Sequence, residues 1–482
     1  MTVKIKNHKL KLLSTCTTIL GFAIPTVQAD TTENFFVRLK AHYEQAPKLE
    51  VFGLNYHYLG LGNPYQSWDY QSPARYMALR MVEIDLKKRQ FFERDIHHFP
   101  DGLTANRVQF QNDNQSLFYD KNGISLGRGI IDQGMNTFDE FKSQVSMNLD
   151  FLAVTPLLED SNLNNNTTMQ WDNTSKTTTI THATPDNESV EYVFGENPFR
   201  LLSINNLSSQ KVFIYDNYQT TNDITFARSI LKYYDGSSRP SFVHRIDQLH
   251  LLDEIEPVRF VVPKDFGPIF NESDKTLISS EIAPDLYLVT SASALRNNLF
   301  KVQGNEITVF GGASSPERAE ETINLILSQF PNRKISSVYV THPHSDNIAG
   351  LLPYAKRGIP IRTDEYTMAA IGDYPPFSEE IDKFKFQKIE HNALIDNIEY
   401  FVLENSHSKR QSFVYFRDIG IIFQADFLRV GFDNSIPQVI PNFTISFIDF
   451  VRRNGLKINR IVSYSRNNDI SVEVMNNIYD AY

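Results

Sequence analysis

Residues 338–352 read VYVTHPHSDNIAGLL, and this stretch decides how the chain is interpreted. An apolar run ends at Val340, and two histidines and an aspartate follow within residues 342–346. A helix begins directly afterwards, with Ser345 or Asp346 as its N-cap. Side chains in a loop after a buried strand converge at a point outside the sheet. Because imidazole suits Zn²⁺ and a carboxylate suits a second or harder cation, the stretch predicts a metal site.

This stretch resembles the signature of the metallo-β-lactamase superfamily, Thr-His-x-His-x-Asp-His followed by a glycine-containing helix start. His342, His344 and Asp346 match the signature. About 63 residues after the pair, His407 precedes an apolar strand, where the family places its third histidine. About 19 residues further, Asp426 ends another apolar strand, where the family has a bridging aspartate. The resemblance covers residues 285–482 and implies a zinc site built from these five residues.

Two departures from the family pattern concern the second metal site. The histidine that should follow the motif aspartate is Asn347, and the final histidine is absent from the segment 461–466. Asparagine is a weak neutral oxygen ligand, and two carboxylates alone hold Zn²⁺ poorly. We therefore expect one zinc ion on His342, His344 and His407, with a second site that is weak or absent.

The expected chemistry follows from these ligands. Three neutral imidazoles leave a tetrahedral Zn²⁺ one open position for water, whose pKa falls toward about 7. Zinc-bound hydroxide would then attack an ester-like, amide-like or phosphoryl substrate. Asp346 is the predicted catalytic residue, which orients the hydroxide or takes its proton, or else only caps the helix. Asp426 either fixes water or a second cation, or only closes a turn.

The first half of the chain has a different pattern. From about Val51 to Val262, short strands alternate with turn-rich pieces, and one helical interlude covers Thr137–Leu158. The Asn-rich tract Ser161–Thr168 is interpreted as a loop. The succession predicts an antiparallel, curved sheet with helices across it. It resembles, in pattern only, the half-barrel of periplasmic lipoprotein-carrier domains.

The predicted fold class is therefore α+β, with an N-terminal antiparallel curved β-sheet domain and a C-terminal αββα metallo-β-lactamase-like domain. Proline and glycine near residue 267 mark a change in pattern between the two. The predicted divisions are a signal peptide at 1–29, a β-rich domain at 30–262, a linker at 263–280 and the metallo-β-lactamase-like domain at 281–482.

Length, charge and cysteine count limit the function classes. The 482 residues carry a formal net charge of −10, with 22% charged and 12% aromatic residues. This composition excludes a disordered chain, and the acidic balance argues against nucleic acid as a partner. The single cysteine, Cys16, rules out an internal disulfide and a zinc ribbon. A metal site in this chain must use His, Asp and Glu.

The N-terminus has the features of a secretory signal peptide. Four lysines precede an apolar run from Leu12 to Ile24, and small residues stand before the expected cleavage after Ala29. We therefore expect an exported protein, periplasmic or secreted. Cleavage would remove Cys16 and change the net charge to −14, because the segment holds four lysines and no acidic residue. No later segment is long and apolar enough to span a bilayer.

Three functions remain open from the sequence. The first is an exported metal-dependent hydrolase that acts on a small-molecule substrate. The second is a catalytically degenerate metallo-β-lactamase-fold binding protein, which the loss of two second-site histidines favours. The third is a periplasmic lipid- or ligand-binding protein, in which the N-terminal β-domain holds a lipid or a protein partner. Aromatic residues Trp68, Tyr70 and Tyr76 could contribute to such a groove, or to the core or rim of the β-domain.

Overall fold

The structure is a computed structural model that describes residues 32–44, 49–61, 75–124, 126–221, 223–234, 237–271, 274–291 and 295–482. The predicted signal peptide, Trp68 and Tyr70 lie outside these residues. The chain is mixed α and β, with more sheet than helix. Among the described helices, none is long and apolar enough to cross a membrane.

A sheet of fourteen described strands occupies the N-terminal half. Its strands are β1 (Val51–Leu61), β2 (Arg75–Asp85), β3 (Gln90–His98), β4 (Thr104–Gln111), β5 (Ser116–Asp120), β6 (Ile130–Asp132), β7 (Thr167–Asp172), β8 (Thr177–Ala183), β9 (Ser189–Glu196), β10 (Phe199–Asn206), β11 (Lys211–Thr221), β12 (Ile224–Tyr233), β13 (Phe242–Leu251) and β14 (Ile269–Asn271). Their order across the sheet is β14-β6-β5-β4-β3-β2-β1-β13-β12-β11-β10-β9-β8-β7. Neighbouring strands are antiparallel except for the parallel pair β14 and β6.

Helices cover one face of this sheet. They are α1 (Thr32–Glu44), α2 (Thr137–Ser146), α3 (Asp150–Ala153), α4 (Thr155–Leu158) and α5 (Leu163–Asn166). Phe35 of α1 packs its ring 5.7 Å from that of Phe194 in β9, and Phe141 of α2 stacks 3.9 Å from Phe91 in β3. Each buried aromatic side chain contributes roughly 1.5–3 kcal/mol of transfer free energy. The helices and the sheet therefore share one apolar core.

Some local predictions in this half differ from the structure. The predicted helical interlude is three short helices rather than one. The predicted loop at 161–168 contains α5 and the first residues of β7. The carboxylate of Asp160 accepts hydrogen bonds from the Asn162 backbone and the Asn166 side chain, and Leu163 is buried. These contacts order a segment whose polar composition is typical of a loop. The predicted linker 263–280 contains β14, which pairs with β6.

The C-terminal half contains two further sheets. The first has β15 (Ile278–Ala283), β16 (Leu286–Thr290), β17 (Asn298–Gln303), β18 (Glu306–Phe310), β19 (Lys334–Tyr339), β20 (Ile361–Thr363) and β21 (Phe386–Lys388), in that order. The second has β22 (Ala393–Ile395), β23 (Ile398–Leu403), β24 (Gln411–Phe416), β25 (Ile421–Gln424) and β26 (Arg460–Ser463). The helices are α6 (Pro316–Gln329), α7 (Ser345–Ile348), α8 (Leu352–Lys356), α9 (Glu365–Gly372), α10 (Asn442–Arg453) and α11 (Val472–Ala481).

The two C-terminal sheets pack through aromatic side chains. Phe310 of β18 lies 5.2 Å from Phe416 of β24, and Tyr339 of β19 lies 5.4 Å from Tyr400 of β23, between ring centroids. Helix α6 contributes its apolar residues to a cluster with the first sheet. Helices α10 and α11 contribute theirs to a cluster with the second. This packing holds the ends of β19 and β25 in fixed positions.

The N-terminal sheet also contacts the C-terminal half. Phe443 of α10 packs with Leu103 and Ile124, which come from the turn before β4 and the segment after β5. The backbones of Gly127 and Gly431 approach so closely that a Cβ on Gly431 would lie 2.3 Å from the Gly127 Cα. Any side chain at Gly431 would therefore force the two halves apart.

Replacing Ser315 by Ala is expected to lower the free energy of unfolding by about 1 kcal/mol, measured by urea denaturation. Ser315 is the N-cap of α6, and its hydroxyl accepts a hydrogen bond from the Arg318 backbone at 3.2 Å. Alanine leaves that N–H without this acceptor. Ser314→Ala, one residue earlier, is the control and should change the stability by less than about 0.5 kcal/mol. Equal effects of the two substitutions would contradict the capping role.

Candidate metal centre

The loop after β19 carries the first two histidines. His342 and His344 are both buried, and His344 is the N-cap of α7. Gly350 lets this segment lie against the loop before α6, since a Cβ there would sit 2.7 Å from the carbonyl oxygens of Ala313 and Ser315. The close backbone contact fixes the position of the histidine loop at the end of the sheet.

The other C-terminal sheet supplies the remaining two side chains. His407 lies in the loop before β24, and Asp426 follows β25 with φ of 65°. One ligand atom from each of His342, His344, His407 and Asp426 lies within 4.8 Å of all the others. The structure thus brings four of the five predicted metal ligands together in one buried cluster.

Hydrogen bonds on the outer ring nitrogens orient two of the imidazoles. Nδ1 of His342 lies 2.9 Å from the Thr341 hydroxyl, and Nδ1 of His407 lies 2.7 Å from Oδ2 of Asp101. The buried Nε2 atoms of His342 and His407 make no hydrogen bond to a described residue. Each lies 3.4 Å from Oδ2 of Asp426. The unused nitrogens therefore face the centre of the cluster.

Burial and mutual repulsion set the protonation of the cluster. Burial, together with the nearby His407, lowers the pKa of His342 to about 3, and burial lowers the pKa of His344 well below its usual value. Burial also opposes charge on His407, but the hydrogen bond with Asp101 and the nearby negative charge of Asp426 outweigh it and raise the pKa of His407. Despite burial, Arg429 and His407 keep the pKa of Asp426 well below its usual range. Two neutral imidazoles therefore stand beside an ionised carboxylate.

The predicted catalytic residue Asp346 lies beside this cluster but is bonded elsewhere. Its Oδ2 accepts a hydrogen bond from Arg296 at 2.8 Å, and its Oδ1 accepts one from the Asn347 side chain at 3.1 Å. Asp426 has a similar partner, because Arg429 lies 3.0 Å from its Oδ1. Burial raises the pKa of Asp346, although the charge of Arg296 opposes this rise. Both carboxylates predicted for a second cation thus already have a guanidinium partner.

The cluster opens into a cleft between the two halves of the chain. A cavity of about 60 Å³ contacts His344, His407 and Asp101, and a neighbouring cavity of about 220 Å³ contacts Asp346 and Asp426. The N-terminal sheet supplies aromatic and apolar walls to both. Four arginines line the larger cavity, one from the N-terminal sheet and three from the C-terminal half: Arg107, Arg296, Arg429 and Arg466.

The donor set fits a zinc ion. Three imidazole nitrogens and one carboxylate oxygen are the ligand types that Zn²⁺ takes in proteins, and the inward nitrogens of His342 and His407 lack hydrogen-bond partners among the described residues. The contact between Asp101 and His407 is the carboxylate–histidine arrangement that orients metal ligands. The residues of the cluster therefore fit the zinc ion that the sequence motif implies.

Sequence reasoning missed Asp101, Arg296 and Arg429. Asp101 is 306 residues from its partner His407 and lies in the other half of the chain. Arg296 is 50 residues before Asp346. Of the three, only Arg429 lies close in sequence to its partner, three residues after Asp426, so only this pair could have been suggested by spacing. No spacing in the sequence relates the other two to the site.

No family model and no curated protein matches the sequence. Among similar solved structures is a metallo-β-lactamase from Erythrobacter litoralis, 14% identical, covering 43% of this chain and 96% of its own, with a TM-score of 0.35. FIM-1 from Pseudomonas aeruginosa, in a mono-zinc form, is 13% identical, covering 43% of this chain and 95% of its own, with a TM-score of 0.35. A metallo-β-lactamase from Hirschia baltica is 13% identical, and the match covers 43% of this chain and 98% of the Hirschia protein, with a TM-score of 0.34. The structural similarity extends over less than half of this chain.

Proposed function

We propose that the protein is an exported, zinc-dependent hydrolase with one metal ion, which His342, His344 and His407 would hold while Asp426 fixes water beside them. The observation that carries the proposal is the buried cluster itself, in which the unused Nε2 atoms of His342 and His407 converge with the carboxylate of Asp426. Burying four such groups without a cation between them is unfavourable. When bound, a zinc ion supplies Lewis-acid chemistry and lowers the pKa of water.

The surrounding residues have defined roles in this proposal. Asp101 accepts from Nδ1 of His407 and so directs Nε2 of that ring into the cluster. Arg429 holds Asp426 through Oδ1, which leaves Oδ2 facing His342 and His407. The ion pair with Arg296 positions Asp346 at the wall of the larger cavity, where its carboxylate takes or returns a proton during hydrolysis.

A bound zinc ion would make the cleft favour an anionic small-molecule substrate, because the four arginines and four aspartates that line its two cavities otherwise balance in charge. Arg107 and Arg466 line the larger cavity in addition to the two arginines that pair with Asp346 and Asp426. A bound divalent cation would add two further positive charges beside them. Guanidinium groups bind carboxylate and phosphate in a bidentate manner, so an ester, amide or phosphoryl compound carrying one of these groups fits the cleft.

The finer features of the fold belong to the same proposal. We interpret the two C-terminal sheets with their outer helices as an αββα metallo-β-lactamase-like domain at 281–482. The N-terminal half would be a separate curved β-sheet domain at 30–262 that supplies one wall of the cleft. Export to the periplasm or the medium follows from the signal-like residues 1–29.

Metal analysis combined with a substrate panel tests this function. We expect about one zinc per chain by elemental analysis of the purified protein, and turnover of at least one anionic member of a panel of esters, thioesters, lactams and phosphodiesters. Removal of the metal with a chelator should abolish turnover, and added Zn²⁺ should restore it. About one zinc without any turnover would favour the degenerate binding protein. Absence of zinc, even after incubation with the metal, would contradict the proposed site.

A further inference from the structure

A second cavity lies in the N-terminal half, between the sheet and α2. Its volume is about 520 Å³, within the range typical of small-molecule sites. None of its lining residues lines either cavity beside the metal centre. Its walls carry six aromatic rings in addition to Phe141: Tyr56, Tyr58, Tyr76, Phe213, Tyr234 and Phe242.

Lys232 of β12 lines this cavity and is only 7% exposed. Its ammonium group makes no hydrogen bond or ion pair with any described residue, and its Nζ lies 5.6 Å from the ring centroid of Phe213. A buried ammonium without an anion is unfavourable, and proteins usually pair such a group. Burial, assisted by the charge of Arg80, lowers the pKa of Lys232 to about 7.

The other ionisable groups that line the cavity do not neutralise the positive charge of Lys232. Glu93 forms an ion pair with Arg80, whose Nε lies 3.1 Å from Oε1 of the carboxylate. Nδ1 of His244 is hydrogen-bonded to the Asn148 side chain at 3.1 Å, and burial lowers the pKa of His244 well below its usual value, so this ring is neutral. An exposed second lysine, Lys211, lines the cavity and adds positive charge.

We propose that this cavity binds an organic carboxylate, with the anionic group on Lys232 and the aromatic or aliphatic body against the tyrosine and phenylalanine rings. A carboxylate on this ammonium would form a charge-assisted hydrogen bond in a largely dehydrated place. The rings offer faces and edges on which a flat or chain-like body packs. This site is independent of the metal centre and of the hydrolase function.

Isothermal titration calorimetry with 2-naphthoate and decanoate, and with uncharged 2-naphthamide as the matched neutral probe, tests this site on the complete protein. We expect the wild type to bind at least one of the two carboxylates, and 2-naphthoate about tenfold or more tightly than 2-naphthamide. Lys232→Met, which keeps an unbranched apolar side chain, should weaken carboxylate binding about tenfold or more and leave 2-naphthamide binding unchanged. Lys88→Met, at an exposed turn, is the control and should behave as the wild type.

Proton uptake provides a second readout. At pH 8, titrations in two buffers of different ionisation enthalpy should show that the wild type takes up protons when a carboxylate binds, because the anion favours charged Lys232. The Lys232→Met variant should not show this uptake. Thermal melts of the two proteins establish that the variant is folded. Failure of the wild type to bind either carboxylate, or equal affinities of the wild type and Lys232→Met, would overturn the proposal.

Discussion

The His344→Ala variant is expected to purify with less than about a tenth of the zinc of the wild type and to hydrolyse its substrate ~10³-fold more slowly. His344 is one of three buried imidazoles in the cluster. Its removal leaves two of the three imidazoles that would hold the ion, beside a carboxylate that already pairs with Arg429. Elemental analysis and initial rates at saturating substrate measure both effects. Circular dichroism of the variant checks that the fold is retained.

His391→Ala is the matched control for this prediction. His391 is exposed, and its Nδ1 lies 2.9 Å from the backbone oxygen of Val402, outside the metal cluster. Zinc content and rates should equal those of the wild type. If His344→Ala instead retained about one zinc per chain, the ion would be bound elsewhere and the proposed centre would be wrong.

Local periodicity was sufficient to predict much of the C-terminal half. The apolar patterns at residues 298–303 and 306–310 predict strands, which coincide with β17 and β18, and the pattern at 317–329 predicts a helix, which is α6 apart from its first residue. These elements have strongly patterned apolar positions, so near neighbours in sequence determine them. The mixed α and β character of the chain is confirmed at this coarse level, while the domain boundaries stay predictions.

The motif also located the metal cluster, for a physical reason. The loop after a buried strand can place side chains at only one end of a sheet, so the spacing of His342 and His344 carries three-dimensional information. The hydrogen-bond partners of the site residues cannot be located from the motif in this way. Asp101 meets His407, and Arg296 meets Asp346, only because separate elements fold against one another. Long-range pairing of this kind leaves no periodic trace in one sequence.

Polar composition misled the prediction at 161–168. Asparagine-rich tracts are typical of loops because their side chains compete with the backbone for hydrogen bonds. Here the side chain of Asp160 organises the turn of α5, and it also lies 2.9 Å from Nε2 of buried His182. The same carboxylate thus links the segment to β8. A tertiary contact of this kind overrides local propensity.

Replacing Asp101 by Ala is expected to weaken zinc binding by about 10–100-fold, measured by competition with a chelator of known affinity. Asp101 comes from the turn between β3 and β4, yet its Oδ2 lies 2.7 Å from Nδ1 of His407. Both groups are nearly buried, with side chains 10% and 2% exposed. Without the carboxylate, the His407 ring loses the partner that fixes its orientation and enhances the basicity of Nε2.

Asp101→Asn separates the loss of charge from damage to the turn. Oδ1 of Asp101 accepts a hydrogen bond from the Leu103 backbone at 2.9 Å, and asparagine can keep this acceptor while losing the negative charge. We expect Asp101→Asn to weaken zinc binding with little loss of stability. Asp101→Ala removes both the negative charge and the acceptor for the Leu103 backbone, so it should weaken zinc binding and also lower the stability. Asp186→Asn, at an exposed turn of the same sheet, should leave the affinity unchanged. An unaltered zinc affinity in both Asp101 variants would show that the N-terminal sheet only borders the metal centre. A weakened affinity makes that sheet part of the centre, since its carboxylate then determines how firmly a ligand of the C-terminal half holds the ion.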